Sequence, residues 1–346
     1  MLFTSDNWAP VHPTIMAAMQ ACNNGSAAPY GADDESAALK DMFSKIFGQA
    51  ADVSLVATGS AANALALACL LPPWAAVLTP EYSHIHLDEC GAPEFFSNGA
   101  KLIPLSGEDG KLSPTDLDTA LNFYLPTELR RVTPKVISLT QASEVGTVYT
   151  VDELKILVKY AHDHGLKVHM DGARLANACA AMNVSLAAVT SEVGIDVVTL
   201  GATKNGCMIA EAVIFLNLDL VAELAWRQKR AGQSFSKQRY LSAQWLAYFE
   251  NDLWLDLARH ANTQAFTLAE GLKAQGFSLG YPQHINEVFV QMDQHIADQM
   301  RAKGYQFYDW KLPGDPFKGK LKRFVTNFET SPQLIDDFLD KLNSLS

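Results

Sequence analysis

The sequence predicts an α/β protein whose large domain holds a mostly parallel sheet, followed by a smaller α+β domain at the C-terminal end. Three observations predict it. Two apolar runs, Lys-Val-His-Met and Asp-Val-Val-Thr-Leu, stop at Asp171-Gly-Ala-Arg174 and at Gly-Ala-Thr-Lys204-Asn-Gly206, which is how a parallel sheet presents chemistry at the carboxyl ends of its strands. Strand, glycine turn and helix alternate from Val53 onward. After Asp219 that rhythm gives way to long helical stretches. At 346 residues the chain suits a large domain plus a small one, expected at 1–253 with an N-terminal arm and at 254–346.

In chain order, Phe3 to Pro10 is polar and extended. This arm either frays or carries Ser5 back across the domain. A helix of about two turns follows Pro13, and Asn23 to Asp34 has loop chemistry. From Asp34 a helix buries Leu39, Met42, Phe43, Ile46 and Phe47 and ends at Gly48. Val53 to Ala57 reads as a strand, Thr58-Gly59-Ser60 as a turn, and Ala61 to Leu71 as an alanine-rich helix stopped by Pro72-Pro73. Such a turn offers either a phosphate seat or plain capping by Ser60. Ala76 to Thr79 is a strand leading to His84-Ile-His86-Leu-Asp88-Glu89, with a helix expected over Leu87 to Gly91. The two histidines would share a face for a metal only in a strand. The other reading lays one imidazole on a planar cofactor.

Lys101 to Leu105 is a further strand, and Ser113-Pro114 opens a helix. Pro134 to Leu139 runs into the polar cluster Gln141 to Thr147. Thr150 and Glu153 form a capping box for a helix closed by Gly165, which leads into the strand ending at Asp171. Ala212 to Leu216 makes one more strand. Asp219 to Arg230 and Gln238 to Gln275 are predicted helical. Strands at Val288 to Met292, Tyr305 to Tyr308 and Phe324 to Asn327, with helices to Lys303 and from Pro332 to Leu345, complete the small domain.

Composition removes several function classes. Apolar residues make up 48% and charged ones 19% of the chain, which excludes disorder by composition, and no run is long enough to span a bilayer. The net charge of −11 is dispersed, without the basic block that nucleic acid demands. Five cysteines form no CxxC pair, against a disulfide framework. The start lacks a basic n-region and long apolar h-region, and a reducing, cytoplasmic setting is expected.

The candidate groups fall at successive strand ends: Gly59-Ser60, His84, Gln141 to Glu144, Asp171, Arg174 and Lys204. A glycine turn for a phosphate, an imidazole for a ring face, an acid for a ring nitrogen and an amine for an aldehyde together suit one cofactor, pyridoxal 5′-phosphate (PLP). The sequence also resembles the threonine aldolases, of the aspartate-aminotransferase-like (fold type I) PLP enzymes. The likeness runs through Thr4-Ser5-Asp6, Tyr30-Gly31-x-Asp33, Thr58-Gly59-Ser60-x-x-Asn63, His84-Ile85, His169-Met-Asp171-Gly-Ala-Arg174, Thr203-Lys204-Asn205-Gly206 and Arg323-x-Val325-Thr326.

That resemblance implies roles. Lys204 holds PLP, Asp171 the ring nitrogen, His84 the ring face, and Gly59 and Ser60 the phosphate. Arg174, Arg323 and Ser5 approach the cofactor's O3′ edge or the amino-acid carboxylate, which a guanidinium grips through two parallel bonds. A phosphate-binding cation from a neighbouring subunit falls at Lys237 or Arg239. Many relatives carry a histidine where this chain has Ser143-Glu144, so Glu144 is the candidate for accepting the β-hydroxyl proton. The implied reaction is retro-aldol cleavage of threonine, allo-threonine or phenylserine to glycine and an aldehyde, by a homodimer or homotetramer with shared sites, in threonine catabolism and glycine biosynthesis. The alternatives are another fold type I lyase acting by β-elimination, an aminotransferase, a dinucleotide oxidoreductase, for which no G-x-G-x-x-G is found, or a non-catalytic scaffold that keeps the fold.

Overall fold

The computed structural model describes residues 2–124 and 129–345. Seven strands build the main sheet: β1 (Asp52–Val56), β2 (Ala75–Pro80), β3 (Lys101–Leu105), β4 (Thr133–Thr140), β5 (Lys167–Gly172), β6 (Val197–Gly201) and β7 (Glu211–Phe215). Their order is β1-β7-β6-β5-β4-β2-β3. The pairs from β3 to β6 are parallel, and β7 runs antiparallel to both β1 and β6. A reversal of direction at β7 follows from its connection, since 202–210 is too short for a crossover helix. β2, β6 and β7 are buried along their whole length, as a sheet covered on both faces requires.

The helix Gly59–Leu70 explains how tightly this layer packs. It buries Ala62, Ala64, Ala66 and Ala68 together with Leu65 and Leu67, and small side chains let its backbone approach the sheet. Its N-cap is Thr58, whose hydroxyl accepts from the Ala61 amide at 3.1 Å, so capping by Ser60 is corrected. The helix expected over Leu87 to Gly91 instead spans His84–Leu87. It starts early because the Glu144 carboxylate takes the His84 amide at 2.8 Å. The first helix, Pro13–Cys22, is also longer than two turns.

A second, antiparallel sheet has the order β8-β10-β9, formed by β8 (Glu287–Gln291), β9 (Tyr308–Asp309) and β10 (Leu321–Val325). β9 is shorter than the predicted strand, and β10 begins three residues before it. Charge hid the start of β10: Lys322 is fully buried, its ammonium paired with Asp309 at 2.8 Å. The helix Leu253–Ala274 bridges the two hydrophobic clusters, giving Trp254 and Ala258 to the one around the large sheet and Ala265, Leu268 and Leu272 to the other. The arm joins the second cluster. Phe3 is buried against Phe324 and Phe338, its amide donating to Gln306 O and its carbonyl accepting from Val325 N.

Candidate active site

Strand ends and helix starts converge on a cavity of about 290 Å³. Its walls include Gly59, Ser60, His84, Glu144, Asp171, Arg174 and Lys204, so seven of the predicted site residues meet in one place. Ser5, Arg323, Lys237 and Arg239 do not line it.

Asp171 ends β5 with a buried carboxylate. Oδ1 accepts from the Ala173 amide at 2.9 Å, and Oδ2 accepts from Asn63 Nδ2 at 2.7 Å. Arg174 occupies the N-cap position of the helix Leu175–Met182. Asn63 is the hub here. The same Nδ2 donates to Glu89 Oε1 at 2.8 Å, and Oδ1 accepts from the Thr199 hydroxyl at 2.7 Å. His84 Nδ1 lies 2.8 Å from Glu89 Oε1. Their hydrogen bond raises the imidazole's pKa, while burial raises that of Glu89. Both shifts keep a proton on the pair. His86 points to solvent.

Glu144 is enclosed. Oε1 accepts from the Thr140 hydroxyl and the His84 amide, each at 2.8 Å, and among the described residues Oε2 has no hydrogen-bond partner. Burial pushes its carboxyl up to about 7, against the pull of those two donors. The carboxyl thus enters the cavity with one oxygen free of hydrogen bonds.

Arg174 reaches the cavity already engaged. Nε donates to Asp6 Oδ2 at 2.7 Å and Nη2 to Asp6 Oδ1 at 3.0 Å, with Glu287 at 3.4 Å. Burial opposes both charges, yet the pairing outweighs it, lowering the Asp6 pKa and raising that of Arg174. Among the described residues no hydrogen bond takes Arg174 Nη1, which stays available for an anion. Arg323 lies behind, its guanidinium 4.1 Å over the Trp310 ring, 3.7 Å from Glu287 and donating to Thr4 O at 3.3 Å. Glu287 therefore touches both arginines. Ser5 caps a single turn, accepting from the Asn7 amide, and Asn7 rather than Ser5 reaches the cavity. Arg239 binds Gly25 O at 3.2 Å, and Lys237 is exposed. Neither serves this chain's own cavity.

The residues fit PLP on their own geometry. Because Thr58 caps the helix Gly59–Leu70, the amides of Gly59 and Ser60 have no partner within it and sit at the positive end of its dipole. Lys204 supplies an amine, Asp171 a fixed carboxylate and His84 an imidazole on the same cavity wall. Sequence reasoning missed several wall residues, among them Asn63, quoted but given no role, Glu89, read only as a metal partner, and Glu211. The spacing of Asn63 three residues after Ser60, one helical turn inward, was the available signal.

A family model described as beta-eliminating lyase matches residues 3–295. The chain is 42% identical over 330 residues to a low specificity L-threonine aldolase of Pseudomonas aeruginosa, covering 95% of this chain and 93% of that protein. A solved structure of Leishmania major threonine aldolase superposes with a TM-score of 0.92 at 29% identity, covering 99% of both chains. Serine palmitoyltransferase from S. paucimobilis, at 19% identity with a TM-score of 0.72 over 99% of this chain and 86% of that one, shares the fold alone.

Proposed function

The chain belongs to the beta-eliminating lyase family and to its low-specificity L-threonine aldolases, and from that premise we propose a PLP-dependent cleavage of β-hydroxy-α-amino acids to glycine and an aldehyde. The observation that carries it is the single cavity in which Lys204, Asp171, His84 and the Gly59–Ser60 turn face one another. PLP, when bound, supplies the electron sink for the Cα–Cβ bond.

The chain's own residues do the rest. Lys204 would hold the aldehyde carbon of the cofactor and Asp171 the ring-nitrogen proton, with Asn63 and the Ala173 amide fixing that carboxylate. His84, anchored by Glu89, would cover the ring face. The free Nη1 of Arg174 takes the substrate carboxylate, with Arg323 standing behind it across Glu287. Glu144 receives the β-hydroxyl proton on Oε2, the oxygen without a partner, as the Cα–Cβ bond breaks and the aldehyde leaves, and this proton balances the one that Cα gains to become glycine. L-threonine, L-allo-threonine and L-phenylserine are the proposed substrates.

Residues 1–253 are read as the cofactor domain with its arm, and 254–346 as the small domain. A homodimer or homotetramer with shared sites is part of the proposal. It is supported by Lys237 and Arg239, which lie away from their own cavity and would reach a phosphate only in a neighbour. A cytoplasmic setting, with roles in threonine catabolism and glycine biosynthesis, accords with cysteines that are all free thiols. No described helix is long and apolar enough to cross a membrane.

The test is the visible spectrum of the purified protein followed by titration with the three substrates, measuring aldehyde and glycine. The wild type should show lysine-bound cofactor absorbance that Lys204→Ala lacks, and should release acetaldehyde from threonine. An unchanged spectrum in Lys204→Ala, or ammonia and a keto acid as products, overturns the reading.

A further inference from the structure

The cavity holds a second buried acid to which the roles above give no work. Glu211 opens β7, where its register partners are Val56 on β1 and Gly201 on β6. Its side chain lines the cavity beside Thr58, Gly59, Ser60 and Thr203. Gly201 makes room for it, since a Cβ there would lie 2.8 Å from Glu211 Oε2, and Gly59 lies close by, where a Cβ would meet the same oxygen at an ordinary 3.7 Å. The carboxyl thus stands against the turn whose amides are the phosphate seat.

An ionised carboxylate there would face a phosphate dianion. Within this chain Lys204 is committed to the cofactor's aldehyde and Arg174 is held by Asp6, and a neighbour's Lys237 or Arg239, as proposed above, would offset the charge of the phosphate alone and leave the Glu211 carboxylate without a counter-ion. Two neighbouring anions repel strongly in a buried site, whereas a neutral acid gives the phosphate a donor. We propose that Glu211 stays protonated in the loaded enzyme and donates a hydrogen bond from its carboxyl O–H to the cofactor phosphate at the Gly59–Ser60 turn. Loading from a solution in which Glu211 is ionised therefore takes up one proton, and release gives it back. The inference rests on the PLP reading above.

The surroundings agree. Burial pushes the Glu211 carboxyl up to about 7, with the Thr203 hydrogen bonds and the Lys204 charge opposing and Asp171 adding to the rise. Cys207 and Tyr248 also face it, and burial holds the protons of both. Arrival of a phosphate adds negative charge and shifts Glu211 further toward its neutral form.

Apoenzyme resolved from the holoenzyme is titrated with PLP from pH 6.5 to 8.5 for the wild type and Glu211→Gln, with pyridoxal, which lacks the phosphate, as a second probe. Glutamine is isosteric and donates without titrating. The variant should bind PLP as the wild type does at pH 6.5, and the wild type should fall behind it by about tenfold at pH 8.5, on the order of one pKa unit's worth of linkage. With pyridoxal the two should run in parallel. A wild-type to variant ratio that is constant with pH overturns the inference, as does a divergence that persists with pyridoxal, which would tie Glu211 to Lys204 instead. Failure of the wild type to acquire lysine-bound absorbance overturns the cofactor reading itself, whereas normal loading with a constant ratio overturns only the role of Glu211.

Discussion

Asn63 holds three partners with one amide. Its Nδ2 serves the carboxylates of Asp171 and Glu89, and Thr199 keeps its orientation. Removing it leaves two buried acids short of a donor, at roughly 1–3 kcal/mol for each group left unsatisfied. Asn63→Ala should therefore weaken PLP binding by at least about tenfold and lower the melting temperature of the holoenzyme, measured by dialysis and thermal unfolding. Glu144 sets a different dependence. A proton acceptor pushed up to about 7 is active only when ionised, so kcat/KM should rise with pH through that region and level off above it. Glu144→Gln should lose about 100-fold or more in kcat while PLP binding and spectrum persist. A variant that retains the wild-type pH profile would remove Glu144 from the proton step.

At the scale of elements, the strand ends are fixed by close backbone approach. A Cβ on Gly172 would lie 2.7 Å from the Thr199 carbonyl oxygen, a contact with backbone that no side-chain rotation relieves. Gly172→Ala should push β5 from β6, displace Asp171 and cost roughly 1–3 kcal/mol, read as lower thermal stability together with weaker PLP binding. These ends were also the most legible part of the sequence. Apolar runs halting at Asp171 and Lys204 announced both the sheet and the chemistry, because a parallel sheet covered on both faces offers its polar groups at the carboxyl ends of its strands. Residues contributed from inside elements were hidden. Asn63 lies within an alanine-rich helix and Glu211 at the start of a strand otherwise apolar, so each looked like a boundary feature or an exception rather than a wall of the site. Lys322 misled in the opposite way, since a lysine buried by its pairing with Asp309 reads as solvent-facing. Arg323 was found from resemblance, yet its stacking on Trp310 depends on a tertiary contact that no local pattern encodes.

Across the whole molecule, the arm couples the small-domain cluster to the site. Phe3 is buried in the small-domain cluster, the next residue gives its carbonyl to Arg323, and Asp6 holds Arg174 and accepts from Asn286. Truncating the ring in Phe3→Ala should cost about 3–5 kcal/mol if the arm stays docked. Because the arm carries Asp6, the same variant should raise the KM for threonine well before it changes the cofactor spectrum. Normal KM with lowered stability would show that the arm only packs and does not arrange the arginines.

The Thr4–Arg323 contact spans 319 positions along the chain. Contacts of such separation close the largest loops and form late in folding. The large sheet, whose strands follow one another in sequence from β2 to β6, is able to assemble first and offer Lys204, Asp171 and the phosphate turn. A refolding chain is thus expected to capture its cofactor before it acquires a finished grip on an amino acid, so coloured protein should emerge ahead of catalytic turnover.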